Sequence, residues 1–200
     1  MEILFLLNID VISWDHQLFF FVNKSLSNGF FDLILPLMRN KYTWIPFYVF
    51  VAAFMLMNYK GIKWLLILFV IMNMTMSDQM SSTLVKENVQ RLRPCQQDKL
   101  KDQIILRVPC KRSYSFTSSH ATNHFAIAAF LFFVLGSYLL VFRWPLFVWA
   151  GIISFSQVYV GIHFPLDILF GAILGVLIGS LNAYLFKISA DFFEAKKVTA

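Results

Sequence analysis

Tyr114-Ser115-Phe116-Thr117-Ser118-Ser119-His120 is a short polar turn that runs directly into the apolar stretch Ala121 to Val141. Its hydroxyls stand where a helix N-cap belongs, so the free N–H groups and positive dipole end of the following helix face whatever lies before Ser118. An anion such as phosphate suits that position. Two other polar segments also sit at the ends of apolar runs. Upstream, Lys86 is followed after six residues by Arg93-Pro94; downstream, Ser156-Gln157 is followed after five residues by His163, and Asp167 comes four positions after His163. Such side chains are costly in hydrocarbon, so their clustering at segment ends points to a site at a membrane surface.

The bulk composition agrees. The chain has 200 residues, is 58% hydrophobic and 18% aromatic, and its mean hydropathy is +0.67. These values lie outside the ordinary soluble range and predict an all-α polytopic membrane bundle. No linker or low-complexity tract divides residues 1–200, which read as a single domain. The acidic Glu2 and the early Asn8 and Asp10 do not fit a cleaved signal peptide. Eight of the 17 basic residues fall between Lys86 and Arg112, against Glu87, Asp98 and Asp102. That loop suits anionic lipid headgroups or an anionic substrate, whereas a loop bounded by membrane spans is not a nucleic-acid site. Cys95 and Cys110 lie in the same loop, and a disulfide between them would place it in an oxidising compartment.

Apolar runs predict five spans, at about 43–59, 62–83, 121–142, 145–162 and 167–187. Residues 1–42 are too interrupted to span; they predict one or two amphipathic helices in the interface, with Trp14 and Phe19-Phe20-Phe21 dipped into lipid. Five spans put the three polar segments on one side. Lys60, Lys63, Arg143, Lys187, Lys196 and Lys197 mark the other side as cytoplasmic, although the loop from Lys86 to Arg112 carries more positive charge than they do.

Positions 86 and 93 are seven apart, almost two helical turns, which predicts two cations on one helix face with Pro94 ending the helix. Asp167 lies one turn after His163 and can orient its imidazole, leaving the other ring nitrogen free to attack. His120 and His124 have the i, i+4 spacing of a metal pair, but no third ligand is evident and no metal or other cofactor is expected.

Together, Lys86-x6-Arg93-Pro94, Ser118-Ser119-His120 and Ser156-Gln157-x5-His163-x3-Asp167 resemble the three-part signature of the type 2 phosphatidic acid phosphatase family of membrane lipid phosphatases. The resemblance covers roughly residues 43–187. It implies a helical membrane core and metal-independent hydrolysis through a phosphohistidine. His163 would be the nucleophile, Asp167 its orienter and His120 the acid for the leaving group. Lys86, Arg93, Ser118 and the backbone at Ser119 would hold the phosphoryl oxygens. Thr117 and Ser119 replace the Pro and Gly of the family pattern, and Gln157 replaces an Arg that would stabilise the transferring phosphoryl group. Arg107, Lys111 or Arg112 is expected to supply the missing charge.

The resulting expectation is a lipid phosphatase of the bacterial inner membrane with its site facing outward, acting on a lipid phosphate among membrane lipids and without an obligatory protein partner. Undecaprenyl pyrophosphate is the first substrate expected. Phosphatidylglycerol phosphate, phosphatidate and lipid A phosphates are the alternatives. Gln157 keeps open a non-catalytic lipid-phosphate binder, and the same phosphohistidine would serve a phosphotransferase.

Overall fold

The computed structural model describes residues 2–135 and 143–198, and every regular element among them is helical. The helices are α1 (Glu2–Phe20), α2 (Gly29–Met38), α3 (Ile45–Asn58), α4 (Lys63–Gln79), α5 (Lys86–Val89), α6 (Ser119–Val134), α7 (Pro145–Tyr159) and α8 (Pro165–Val198). A π-helical stretch, Met80–Val85, joins α4 to α5, making one rod from Lys63 to Val89.

The central pair is α6 and α8, and glycines explain its closeness. Gly171, Gly175 and Gly179 recur every fourth residue along one stripe of α8. A Cβ on Gly175 would lie 2.3 Å from the carbonyl oxygen of Thr122, and one on Gly179 2.3 Å from that of Ala126. Small residues at this spacing let two backbones meet, the packing device of helices in lipid. Helix α4 packs on both members of the pair, α7 on α6, and α2 on α7.

Helix α3 approaches the bundle through side chains instead. Met55 joins Leu66, Phe69, Phe130 and Phe186 in one apolar cluster, and Phe47 and Tyr48 lie against Trp149. The space left among α3, α4 and α6 becomes the main cavity described below.

Several expectations change. Only Pro165–Phe193, among the described residues, is both long and apolar enough to cross a bilayer by itself; Ser119–Val134 and Pro145–Tyr159 are shorter apolar helices. The end of the expected span 121–142 lies outside the described residues. Residues 2–42 hold the two helices α1 and α2, but Phe19 is fully buried beneath the polar loop, while Trp14 and Phe21 project outward. Asp15 and Asn23, read from the sequence as polar interruptions, are also buried. The rod ends at Gln90, whose left-handed φ of 52° turns the chain, so Lys86 and Arg93 do not share a helix face. Arg93 is extended, and Pro94 opens a separate 3-10 turn.

The segment between α5 and α6 folds over this end of the bundle as a fixed cap. Cys95 and Cys110 are bonded, with Cα atoms 6.1 Å apart. Asn23 donates to the carbonyls of Ile105 and Tyr159, at 2.9 Å each, and accepts from the Ile105 N–H. Arg107 binds Asp32 at 2.5 Å, donates to the Tyr159 carbonyl at 2.9 Å and stacks on the Tyr159 ring. The charge of Arg107 is therefore committed to internal structure.

Candidate active site

A cavity of about 900 Å³ opens beneath this cap. Lys86, Arg93, Ser119, His120 and His163 line its polar head, together with Lys111 and Lys41. Its shaft is apolar, walled by Val51 and Met55 of α3, Leu66 and Val70 of α4, and Ile127 and Leu131 of α6.

Ser118 is the N-cap of α6, its Oγ accepting from the Ala121 N–H and its own N–H donating to the Asp167 carbonyl at 3.0 Å. This backbone link sets the start of α6 against the first turn of α8. Lys86 Nζ donates to Ser119 Oγ, which also pairs with Ser82 at 2.9 Å. The ammonium is thus held at the α6 N-terminus, where first-turn N–H groups lack intrahelical acceptors.

Gly161, at φ +89°, turns the chain out of α7 and delivers His163 to the cavity, and Pro165 starts α8. His163 Nδ1 lies 3.3 Å from Asp167 Oδ2, and Arg93 Nη1 lies 2.9 Å from His163 Nε2. A guanidinium can only donate, so Nε2 must be the bare, accepting nitrogen and Nδ1 must carry the proton toward Asp167. Burial pushes the His163 pKa down to about 4, against the pull of Asp167, so the imidazole is neutral near pH 7. Arg93 is anchored by the carbonyls of Ser113, Ile162 and Tyr114. Burial brings its pKa down to about 10, which leaves it charged.

His120 faces the same cavity, stacked at 6.2 Å on His124. His124 is fully engaged, its Nδ1–H donating to the His120 carbonyl at 2.7 Å and its Nε2 accepting from the Tyr48 hydroxyl at 3.1 Å. This arrangement gives His124 a structural part. The described residues contain no group of three or more His, Cys, Asp or Glu placed to hold a metal.

Of the residues expected from sequence, Lys86, Arg93, Ser119, His120 and His163 reach the cavity wall, and Asp167 stands directly behind His163. Ser118 and Gln157 do not line it. Ser118 Oγ is committed to the cap, and Gln157, fully buried in α7, presents Oε1 to Arg39 Nε at 3.4 Å. Arg39, at the end of α2, was not anticipated. It lies near enough to Lys111 and Arg93 to lower both pKa values by repulsion, after the larger effect of burial on each. Among the three loop cations expected to supply charge, Lys111 lines the cavity, while Arg107 is bound into the cap. Arg91 and Asp15 were also missed. Arg91 binds Asp167 at 2.7 Å and Asp15 at 2.5 Å. The available signal was an acid in an apolar helix, since a buried carboxylate requires a partner.

The family model that matches this chain, described as PAP2 superfamily, covers residues 64–189, which include all three polar segments. The chain belongs to the PAP2 superfamily. It is a PAP2-type membrane lipid phosphatase, a hydrolase of phosphate esters. It is 29% identical over 192 residues to the lipid A 4'-phosphatase of Bacteroides thetaiotaomicron, spanning 93% of this chain and 79% of that one. It is 27% identical to the lipid A 4'-phosphatase of Porphyromonas gingivalis, over 79% of this chain and 65% of the other. A shorter match, 31% identical over 37% of this chain and 36% of the relative, is to the undecaprenyl-diphosphatase BcrC of Bacillus subtilis. Two solved structures superpose. The PAP2-type phosphatidylglycerolphosphate phosphatase of Bacillus subtilis has a TM-score of 0.68 at 22% identity over 89% of this chain and 87% of that one. Aquifex aeolicus LpxE has 0.60 at 23% identity, over 83% and 92% respectively.

Proposed function

We propose that this PAP2 protein hydrolyses a phosphate monoester of a lipid A-type glycolipid through a phosphohistidine on His163. The observation that carries the reading is the cavity, which joins a cationic head containing His120 and His163 to an apolar shaft between α3 and α4. A phosphorylated headgroup meets Lys86, Arg93 and Lys111 while its acyl chains follow the shaft. The long matches to two lipid A 4'-phosphatases support this substrate class over undecaprenyl pyrophosphate.

In the mechanism we infer, the bare Nε2 of His163 attacks phosphorus, forming a P–N bond as the P–O bond to the sugar breaks. His120 gives a proton to the departing oxygen. Asp167 accepts the Nδ1–H bond and stabilises the positive charge that builds on the imidazole. Water then attacks phosphorus and gives a proton to His120 as the P–N bond breaks, which releases inorganic phosphate and leaves Nε2 of His163 bare again. Arg93 holds Nε2 until the phosphate arrives and then donates to the equatorial oxygens. No step requires a metal.

We place the site at the outer face of a bacterial inner membrane, with five spans formed by α3, the α4–α5 rod, α6, α7 and α8. The Cys95–Cys110 bond fits an oxidising compartment on that side. Lys60, Lys63 and Lys187 lie toward the opposite end.

The test is phosphate release by purified protein from bis-phosphorylated lipid A, undecaprenyl pyrophosphate and phosphatidylglycerol phosphate, each with and without chelator, alongside His163→Ala. Expected are chelator-insensitive release, highest with lipid A, and no release by the variant. Preference for undecaprenyl pyrophosphate would restore the substrate first expected from sequence, for which the partial match to BcrC stands. Binding without release from any lipid would support a non-catalytic protein, and activity in His163→Ala would remove the phosphohistidine.

A further inference from the structure

Asp167 does not stand alone behind His163. Its Oδ2 accepts from the Phe164 N–H at 2.9 Å as well as facing His163, while its Oδ1 takes the Arg91 guanidinium at 2.7 Å. Arg91 reaches on to Asp15 of α1 at 2.5 Å and lies 4.1 Å from the centre of the Phe164 ring. Asp15 is 3% exposed, and its other oxygen accepts the Leu166 N–H at 2.8 Å, in the first turn of α8. One chain of contacts, buried at both carboxylates and partly exposed at Arg91, therefore runs from the N-terminal helix to the imidazole.

Charge counting gives this chain a purpose. Arg91 by itself would cancel the Asp167 carboxylate, leaving little negative potential for the positive charge that forms on His163 when it takes a phosphoryl group. With Asp15 present, the group Asp15–Arg91–Asp167 carries a net single negative charge, and both carboxylates are buried, where charge acts strongly. We infer that Asp15 is a positioning residue for the reaction: through Arg91 it fixes Asp167 and preserves the negative field at His163, making α1 part of the active site. This inference rests on the reading of His163 as nucleophile. The other charged or titratable groups facing His163 are Arg93 from the cap, Lys86 from the rod and His120 from α6.

The experiment compares kcat, KM and the acid limb of kcat/KM in the full-length protein, with thermal unfolding as a control. Asp15→Asn keeps an acceptor for Leu166 and removes the charge. It is expected to lower kcat about tenfold with little change in KM and to move the acid limb to lower pH. Arg91→Gln leaves both carboxylates charged and is expected to move the limb to higher pH. The double variant regains a net single negative charge, so its kcat should exceed that of Asp15→Asn alone. A merely structural salt bridge would change unfolding but shift neither limb, and its double variant would be no faster than either single one; those results overturn the proposal. If Asp15→Asn does not fold, the limb of Arg91→Gln decides, and an unshifted limb overturns the inference. Activity in His163→Ala would sink the parent reading. An inactive His163→Ala beside unshifted limbs would sink only the role of Asp15.

Discussion

Arg93 Nη1 lies 2.9 Å from His163 Nε2, so the nitrogen proposed to attack phosphorus is engaged by a cation until substrate arrives. The contact fixes the tautomer, because Arg93 offers only hydrogens. It also places a guanidinium where the phosphoryl oxygens of the transition state would gather. Arg93→Lys keeps a charge but loses the fork that spans His163 and the cap carbonyls. We expect kcat to fall about 10²-fold, measured as phosphate release at saturating lipid. A fall of less than threefold would mean that Arg93 serves the cap alone.

The pH profile follows from the buried imidazole. His163 reacts when neutral, and its pKa of about 4 predicts that the acid limb of kcat/KM, after correction for substrate ionisation by phosphorus NMR, rises through about pH 4, while loss of the proton that His120 must carry brings the rate down on the alkaline side. Stability changes over a related window. The unfolded histidine titrates near ~6.5 and the folded one lower, so the contribution of neutral His163 is complete above the unfolded value and is lost as pH falls toward 4. An acid limb near 6.5 in corrected data would contradict the buried site.

Gln157 and Arg39 test where the phosphoryl charge comes from. Arg39 lies 3.4 Å from Gln157 Oε1, so a cation from α2 stands beside the position where the family pattern has Arg. Arg39→Ala is expected to lower turnover about 10²-fold, and adding Gln157→Arg should restore much of it. Lys111→Ala should act mainly on KM, because Lys111 lines the polar head but makes no contact with His163 or Asp167 comparable to that of Arg93. Arg107→Ala should lower thermal stability by loosening the cap. Unchanged turnover in Arg39→Ala would return the question to Lys86 and Arg93.

The glycine stripe gives a prediction about architecture. Gly175→Ala would put Cβ against the Thr122 carbonyl, a backbone atom that no rotamer change can move away. Separation of α6 from α8 should cost about 1–3 kcal/mol and shift His120 relative to Asp167. Gly151→Ala in α7 meets nothing within 4 Å and serves as the control. Thermal unfolding and activity of the two variants, side by side, separate a packing role from a general intolerance of α8.

The sequence by itself determined the helical class, the N-cap at Ser118 and the pairing of His163 with Asp167. These depend on local chemistry: apolar runs, a hydroxyl before a helix, and a four-residue spacing. Only the tertiary structure decided that Arg93 comes to His163 by leaving the helix, because a single left-handed residue at Gln90 overrides the seven-residue spacing. Only it showed Asp15, Arg91 and Arg39 at the site. Their partners lie 76 or more residues away in the chain, and no local pattern separates a charge bound for solvent from one that will meet a buried carboxylate. The apolar shaft was likewise invisible, because it is the space left where the glycines of α8 draw α6 close and α3 reaches the bundle through side chains.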